Sequence, residues 1–163
     1  MKTLLIVWYS FTGGSRQLAE AARDGAVEAG GAEVRFVSAD QAQSADLLEC
    51  DGYIFACPEN LAAIAGVMKA FFDRTYYDVL GQIEGRPYAA MICAGSDGSN
   101  AQHQLERIAT GWRLKRVADT QIVNVNAQTK EEILSQKEIG EAELRAAREL
   151  GATLAAGLEM GVF

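Results

Sequence analysis

Residues 10 to 16 read Ser-Phe-Thr-Gly-Gly-Ser-Arg, bringing three hydroxyl side chains (Ser10, Thr12, Ser15) and two glycines together between an apolar run and a helical pattern. A turn from strand to helix leaves backbone N–H groups unpaired at the helix N-terminus, where the aligned peptide dipoles also favour negative charge. The hydroxyls add donors, and Gly13 and Gly14 let the chain close around an anion without a Cβ in the way. The chemistry this pattern suits is phosphate binding by neutral donors. No lysine follows Gly14, so the Gly-x-x-x-x-Gly-Lys-[Ser/Thr] loop that handles terminal nucleotide phosphates is absent, as is a Gly-x-Gly-x-x-Gly fingerprint. Taken alone, Thr-Gly-Gly-Ser suits a capped helix start at least as well.

Other reactive side chains offer little. Cys50, Cys57 and Cys93 lie in or beside apolar segments, form no C-x-x-C pair, and none has an arginine at the spacing of a cysteine-phosphatase loop. No metal site is expected. His103, the one histidine, falls on the polar face of a helical pattern near Glu106 and Arg107, where a solvated role outweighs catalysis. A phosphorelay receiver would need acids after the first strand, an Asp after the third and a Lys after the fifth, where this chain has Tyr9 and Ser10, Cys57 and Pro58, and Asn126.

With two further segments, the first loop becomes specific. Ser-Phe-Thr-Gly-Gly-Ser resembles the [Ser/Thr]-x-Thr-Gly-x-[Ser/Thr] phosphate loop of the flavodoxin family, and Cys57 to Arg74, "CPENLAAIAGVMKAFFDR", is similar to the segment found in its flavin reductase and quinone reductase branches. "CAGSDGSN", Cys93 to Asn100, resembles the family's third flavin loop. The resemblance implies FMN as cofactor. It assigns the phosphate to Ser10, Thr12, Gly13, Gly14 and Ser15, with Arg16 able to reach it or to point to solvent. It assigns the ring to Pro58, which would end the third strand, to Glu59, Asn60 and Leu61, and to Gly95, Ser96, Asp97, Gly98 and Asn100. Glu59 to Ala65 lacks the aromatic residue and early glycine that the family often places there. The glycine-rich loop after strand four is shorter than in dedicated electron carriers, which favours an oxidoreductase taking hydride from NAD(P)H and reducing a quinone, free flavin or similar small acceptor. The alternatives are a one-electron carrier or redox sensor without NAD(P)H turnover, and an interaction module that has lost the flavin. No catalytic side chain is assigned, since the flavin carries the chemistry.

Such loops need a scaffold that brings strand ends together. Five apolar runs, "KTLLIVWYS", "AEVRFVS", "DGYIFAC", "RPYAAMICAG" and "DTQIVNVNA", alternate with helical patterns, the signature of a parallel sheet covered on both faces. The expected fold is an α/β, flavodoxin-like three-layer α/β/α sandwich with a five-stranded parallel sheet of order 2-1-3-4-5, as one domain over residues 1–163. In that order the ligand sits beyond the carboxyl ends of the strands. Leu18, Ala22, Ala26 and Ala29 stripe the first helix, which Gly30 and Gly31 end. The pattern predicts a third helix over Asn60–Tyr77, apolar almost all round, and a last helix from about Glu131 to Met160 with a break near Gly140. Trp8 and Trp112 read as core or subunit contacts.

Composition fits this reading. The chain has 163 residues, 49% hydrophobic and 23% charged, with no apolar run long enough to span a bilayer, so no membrane insertion is expected. The opening "MKTLLIVWYS" lacks a following cleavage site and reads as a buried first strand. The cysteine usage suits a reducing cytoplasm. A formal net charge of −7, with scattered basic residues, disfavours nucleic acid. The apolar third helix suggests a homodimer or homotetramer whose neighbour helps enclose the flavin.

Overall fold

A computed structural model describes residues Met1–Phe163. Strands β1 (Lys2–Trp8), β2 (Ala32–Ser38), β3 (Gly52–Asn60) and β5 (Pro87–Ala94) run parallel in the order β2-β1-β3-β5, and β5 carries both β6 (Lys115–Arg116) and β7 (Gln121–Asn124) on its free edge. This is the expected 2-1-3-4-5 order, with β7 as the fifth main strand. Two short additions were not expected: β6, and β4 (Ala63–Ile64), which pairs antiparallel with the end of β3.

Alternation along the central strands sorts residues to two faces. Leu4, Ile6, Ile54, Ala56, Ala89 and Met91 face α1 (Gly14–Ala29) and α6 (Glu141–Met160), meeting Leu18, Ala22 and Leu154. Leu5, Val7, Tyr53, Phe55, Ala90 and Ile92 face α2 (Ser44–Glu49), α3 (Gly66–Val79) and α4 (Ser99–Gly111). On that second face, Phe55 packs against Phe71, Phe72 and Tyr88, and Phe72 meets the ring of Trp112 at 5.5 Å. Trp112 is fully buried and its indole N–H donates to the Tyr76 carbonyl at 3.1 Å, which makes it a core residue.

Two expectations about elements need correction and a third is met. Pro58 does not end β3: the strand continues to Asn60, with Pro58 opposite Cys93. Ala56 O accepts from Tyr9 N on the β1 side. Two residues on, the missing Pro58 N–H faces the same side, past the end of β1, so no ladder bond is lost. The third helix begins at Gly66 and not at Asn60, because Glu59–Ile64 form a hairpin. Freed of that segment it is amphipathic, with Lys69, Asp73, Arg74 and Tyr77 outward. The break expected near Gly140 is present and spans Ser135–Gly140, dividing the last helical stretch into α5 (Lys130–Leu134) and α6.

Candidate functional site

The loop after β1 turns into α1 through Gly13, whose φ of 93° lies in the left-handed region. Gly13 N donates to Ser10 Oγ at 3.0 Å, so the first hydroxyl shapes the loop. No side chain caps α1. The amides of its first turn therefore face outward without an intrahelical or capping partner. Ser15, 2% exposed, holds its Oγ buried with no hydrogen-bond partner. A buried hydroxyl without a partner is costly, and an anion at this helix start would satisfy it.

The N-terminus of α4 is arranged differently. Its N-cap is Gly98, and the Glu59 carboxylate, reaching over from β3, accepts from Gly98 N at 2.9 Å and from Ala101 N at 3.1 Å. Asp97 Oδ1 accepts from Ser99 N at 3.2 Å. This helix already has its negative charges. The contrast leaves the open anion position at α1. Asn100, in the first turn of α4, donates to the Ala62 carbonyl.

Glu59 and Asn100 thereby tie the second loop to the third, and Ile64 N donates to Gln104 Oε1 at 2.9 Å to complete the link. At the tip of the second loop, Leu61 and Ala62 both have positive φ, 51° and 61°, and form the two-residue turn between Asn60 and Ala63. Leu61 is fully exposed.

A cleft of about 480 Å³ lies where the loops meet. Tyr9 and Phe11 come from the first loop, Glu59 to Ala62 from the second, and Gly95 and Ser96 from the third. Its size is in the range of small-molecule sites. A narrower hollow of about 60 Å³ adjoins it toward the start of α1, lined by Thr12, Pro58, Cys93 and Lys137 among others. A larger depression of about 630 Å³ between α1 and α6 is lined mainly by charged groups such as Glu20, Asp24, Arg145 and Arg148, and touches none of the second or third loop.

Of the residues assigned from sequence, Thr12, Pro58, Glu59, Asn60, Leu61, Gly95 and Ser96 line these two spaces. Ser10, Gly13, Gly14 and Ser15 form the loop and helix start beside them. Arg16 does not line the cleft: it pairs with Glu20 at 2.9 Å and lies 5.4 Å over the Trp8 ring. Asp97, Gly98 and Asn100 are spent on the α4 terminus and the second loop.

Sequence reasoning missed the contribution from beyond β7. Ala127 and Ile133 line the wide cleft, and Val125 and Lys137 the narrow hollow. Lys137 N donates to Thr12 O at 2.8 Å, and Gln17 Nε2 bonds both Gly13 O and Lys137 O, so Ser135–Ile139 straps the loop between β1 and α1. One signal was available: Thr129-x-x-Glu132 is a capping box, realised here at the start of α5.

The thiols are inert. Burial pushes Cys57 up to about 12, and Cys50 and Cys93 up to about 11, the last against the opposing charge of Lys137. A thiolate nucleophile is not supplied at neutral pH. No cluster of three or more His, Cys, Asp or Glu side chains is assembled to hold a metal ion, and no helix is long and apolar enough to cross a membrane.

Residues 1–130 match the family model of NADPH-dependent FMN reductases. A flavodoxin of Aquifex aeolicus (strain VF5) is 33% identical over 98 residues, which cover 60% of this chain and 53% of that protein, about half its length. Among solved structures, a flavodoxin from the domain Archaea superposes with a TM-score of 0.77 at 16% identity, covering 96% of this chain and 99% of that one. Rubredoxin oxygen:oxidoreductase from Desulfovibrio gigas gives 0.80 at 12% identity, covering 99% of this chain and 37% of that one. At such identities the likeness establishes the fold.

Proposed function

Since this chain belongs to the NADPH-dependent FMN reductase family, we propose that it is an FMN-dependent oxidoreductase that passes electrons from NAD(P)H to a quinone, free flavin or similar small acceptor. The observation that carries the reading is the uncapped start of α1, with its unsatisfied Ser15 hydroxyl, opening beside a cleft built from three loops. These residues fit a flavin phosphate at one end and a flat ring at the other.

FMN, when bound, supplies hydride acceptance and onward electron transfer. The chain's own part is to hold and orient. Thr12 and the first-turn amides of α1 would take the phosphate. Glycine at position 95, with its would-be Cβ 3.1 Å from Ala127 O, keeps the floor of the cleft flat. Backbone amides of the second and third loops would stabilise negative charge on the ring, since they need no reorganisation when charge develops. Glu59 holds those loops in register, and its bonds to Gly98 and Ala101 keep its carboxylate turned into the protein. The mouth is bordered by Leu61 and half-exposed Phe11 and Ile133, an apolar rim against which a second planar reactant can lie.

The flavodoxin relative favours a second reading, in which the same cleft serves a one-electron carrier. The two are separated by measuring NAD(P)H oxidation by the FMN-reconstituted protein with quinone or free flavin as acceptor. The reductase reading expects turnover well above that of FMN alone, with a yellow flavin spectrum that stays with the protein on gel filtration. A retained flavin with no turnover over any acceptor would leave the carrier; no retained flavin after reconstitution would sink both.

A further inference from the structure

Lys137 is the one cationic side chain that lines either the cleft or the hollow beside it. The strap fixes its position: Lys137 N is bonded to Thr12 O at 2.8 Å, and its Cβ lies 3.6 Å from where a side chain on Gly14 would begin. Its ammonium group donates to three neutral carbonyls, Glu132 O, Ile133 O and Ser135 O, at 2.7, 2.9 and 2.6 Å. No carboxylate lies within ion-pairing distance of it. Its charge is felt at the Cys93 thiol, whose sulfur sits 2.6 Å from the same Cβ position on Gly14. Arg16, which follows the first loop in sequence, is already committed to Glu20.

A dianionic phosphate entering a chain of net charge −7 meets long-range repulsion, and a cation held beside the neutral donors offsets part of it. We propose that Lys137, carried on the Ser135–Ile139 strap, is the cationic ligand of the cofactor phosphate and makes the site select a phosphorylated flavin over an unphosphorylated one. The inference rests on the FMN reading above. Exchanging one neutral carbonyl for a phosphate oxygen breaks no ion pair, and an ammonium has three donors to share.

The test compares FMN with riboflavin by quenching of flavin fluorescence, in the full chain and in Lys137→Gln and Lys137→Arg. Lys137→Gln is expected to weaken FMN binding roughly 10- to 100-fold, the effect of one charge-assisted hydrogen bond. Riboflavin binding should stay as it was, and Lys137→Arg should recover most of the FMN preference. Equal losses for both flavins would mean that Lys137 only caps α5, and would overturn the proposal. An unchanged ratio of the two affinities would overturn it too. Salt gives a further readout: because the net charge of −7 acts on both proteins, added salt should lower the FMN affinity of the unmutated chain relative to that of Lys137→Gln while riboflavin affinity shows no such difference, and identical salt dependence in the two proteins refutes the assignment. Failure of the unmutated chain to bind either flavin is a separate result that removes the FMN reading itself and this inference with it.

Discussion

Leu61 and Ala62 occupy a two-residue turn with φ of 51° and 61°, a conformation that Asn-Gly adopts readily and that side chains with a Cβ resist. The turn persists because both its flanks are fixed. Asn60 pairs with Ala63, and the Ala62 carbonyl accepts from Asn100. Strain of this kind collects where a chain is shaped for a ligand. Replacing Ala62 by Gly should relieve about 1 kcal/mol, raising Tm by roughly 2–4 °C for a chain of this size; an unchanged or lower melting point by circular dichroism would show that the turn is unstrained. At this scale the first loop was legible, because hydroxyls and glycines advertise their chemistry by type and spacing. Glu59 was legible only as a member of a loop: its partners Gly98 and Ala101 lie some forty residues away, and no local pattern announces them. Arg16 was open between the phosphate and solvent, and its partners here come from its own helix and the strand below, through Glu20 at i+4 and the Trp8 ring.

Among the elements, the segment from Thr129 to Ile139 decides how the phosphate end of the cleft is closed. A five-residue helix has almost no stability of its own. It is held by its ends: Thr129 Oγ1 accepts from Glu132 N, the Glu132 carboxylate accepts from Gln128 N and Thr129 N at 2.8 and 3.1 Å, and Lys137 takes its last carbonyls. Those two backbone donors hold the Glu132 carboxyl below its ordinary value of 4.5. A carboxyl depressed in the folded state stabilises it above the unfolded value, and the contribution is lost as pH falls through the folded value. The strap should therefore loosen in acid below pH 4.5 and stay closed at neutrality. Hydrogen exchange, corrected for the intrinsic rate, reads this at Ile133 and Ser135, whose amides donate to Thr129 O and Glu131 O. Glu132→Gln should show weakened protection already at pH 7 with no further acid step. Identical pH profiles for the two proteins would assign the closure elsewhere. The sequence carried the capping box and a break near Gly140, but the pattern running toward Met160 hid how early the first of the two helices stops, at Leu134. The same masking hid the β3–β4 hairpin, whose residues Asn60–Ala65 read as helix because alanine and leucine favour one and the turn lacks the expected glycine.

For the molecule as a whole, the phosphate site depends on how α1 is seated, and α1 is seated on α6. The two helices cross with almost no side chain between them: a Cβ on Gly25 would lie 2.0 Å from Arg148 O, and one on Gly151 would lie 1.8 Å from Ala22 O. Both glycines sit inside helices, where each costs about 1 kcal/mol relative to alanine, so the sequence alone reads them as weak points. The fold explains them, since close approach of two backbones leaves no room for a methyl group. Through this contact the strap, which leads into α6, and the phosphate loop, which leads into α1, are parts of one rigid corner on the sheet face formed by Leu4, Ile6 and Met91. Fold order and the two-faced core were legible from periodicity; this crossing was not, because it depends on pairings of positions 123 and 129 residues apart. Gly151→Ala should reverse the usual gain in helix propensity and destabilise the protein by about 1–3 kcal/mol through overpacking. It should also weaken FMN binding, because separating the helices displaces the start of α1. Gly66→Ala, at a helix start with nothing within 4 Å, is the control, with stability unchanged or raised. If Gly151→Ala melts no earlier than the unmutated chain and binds FMN equally well, the corner is not rigid, and the phosphate loop is set by its own turn alone.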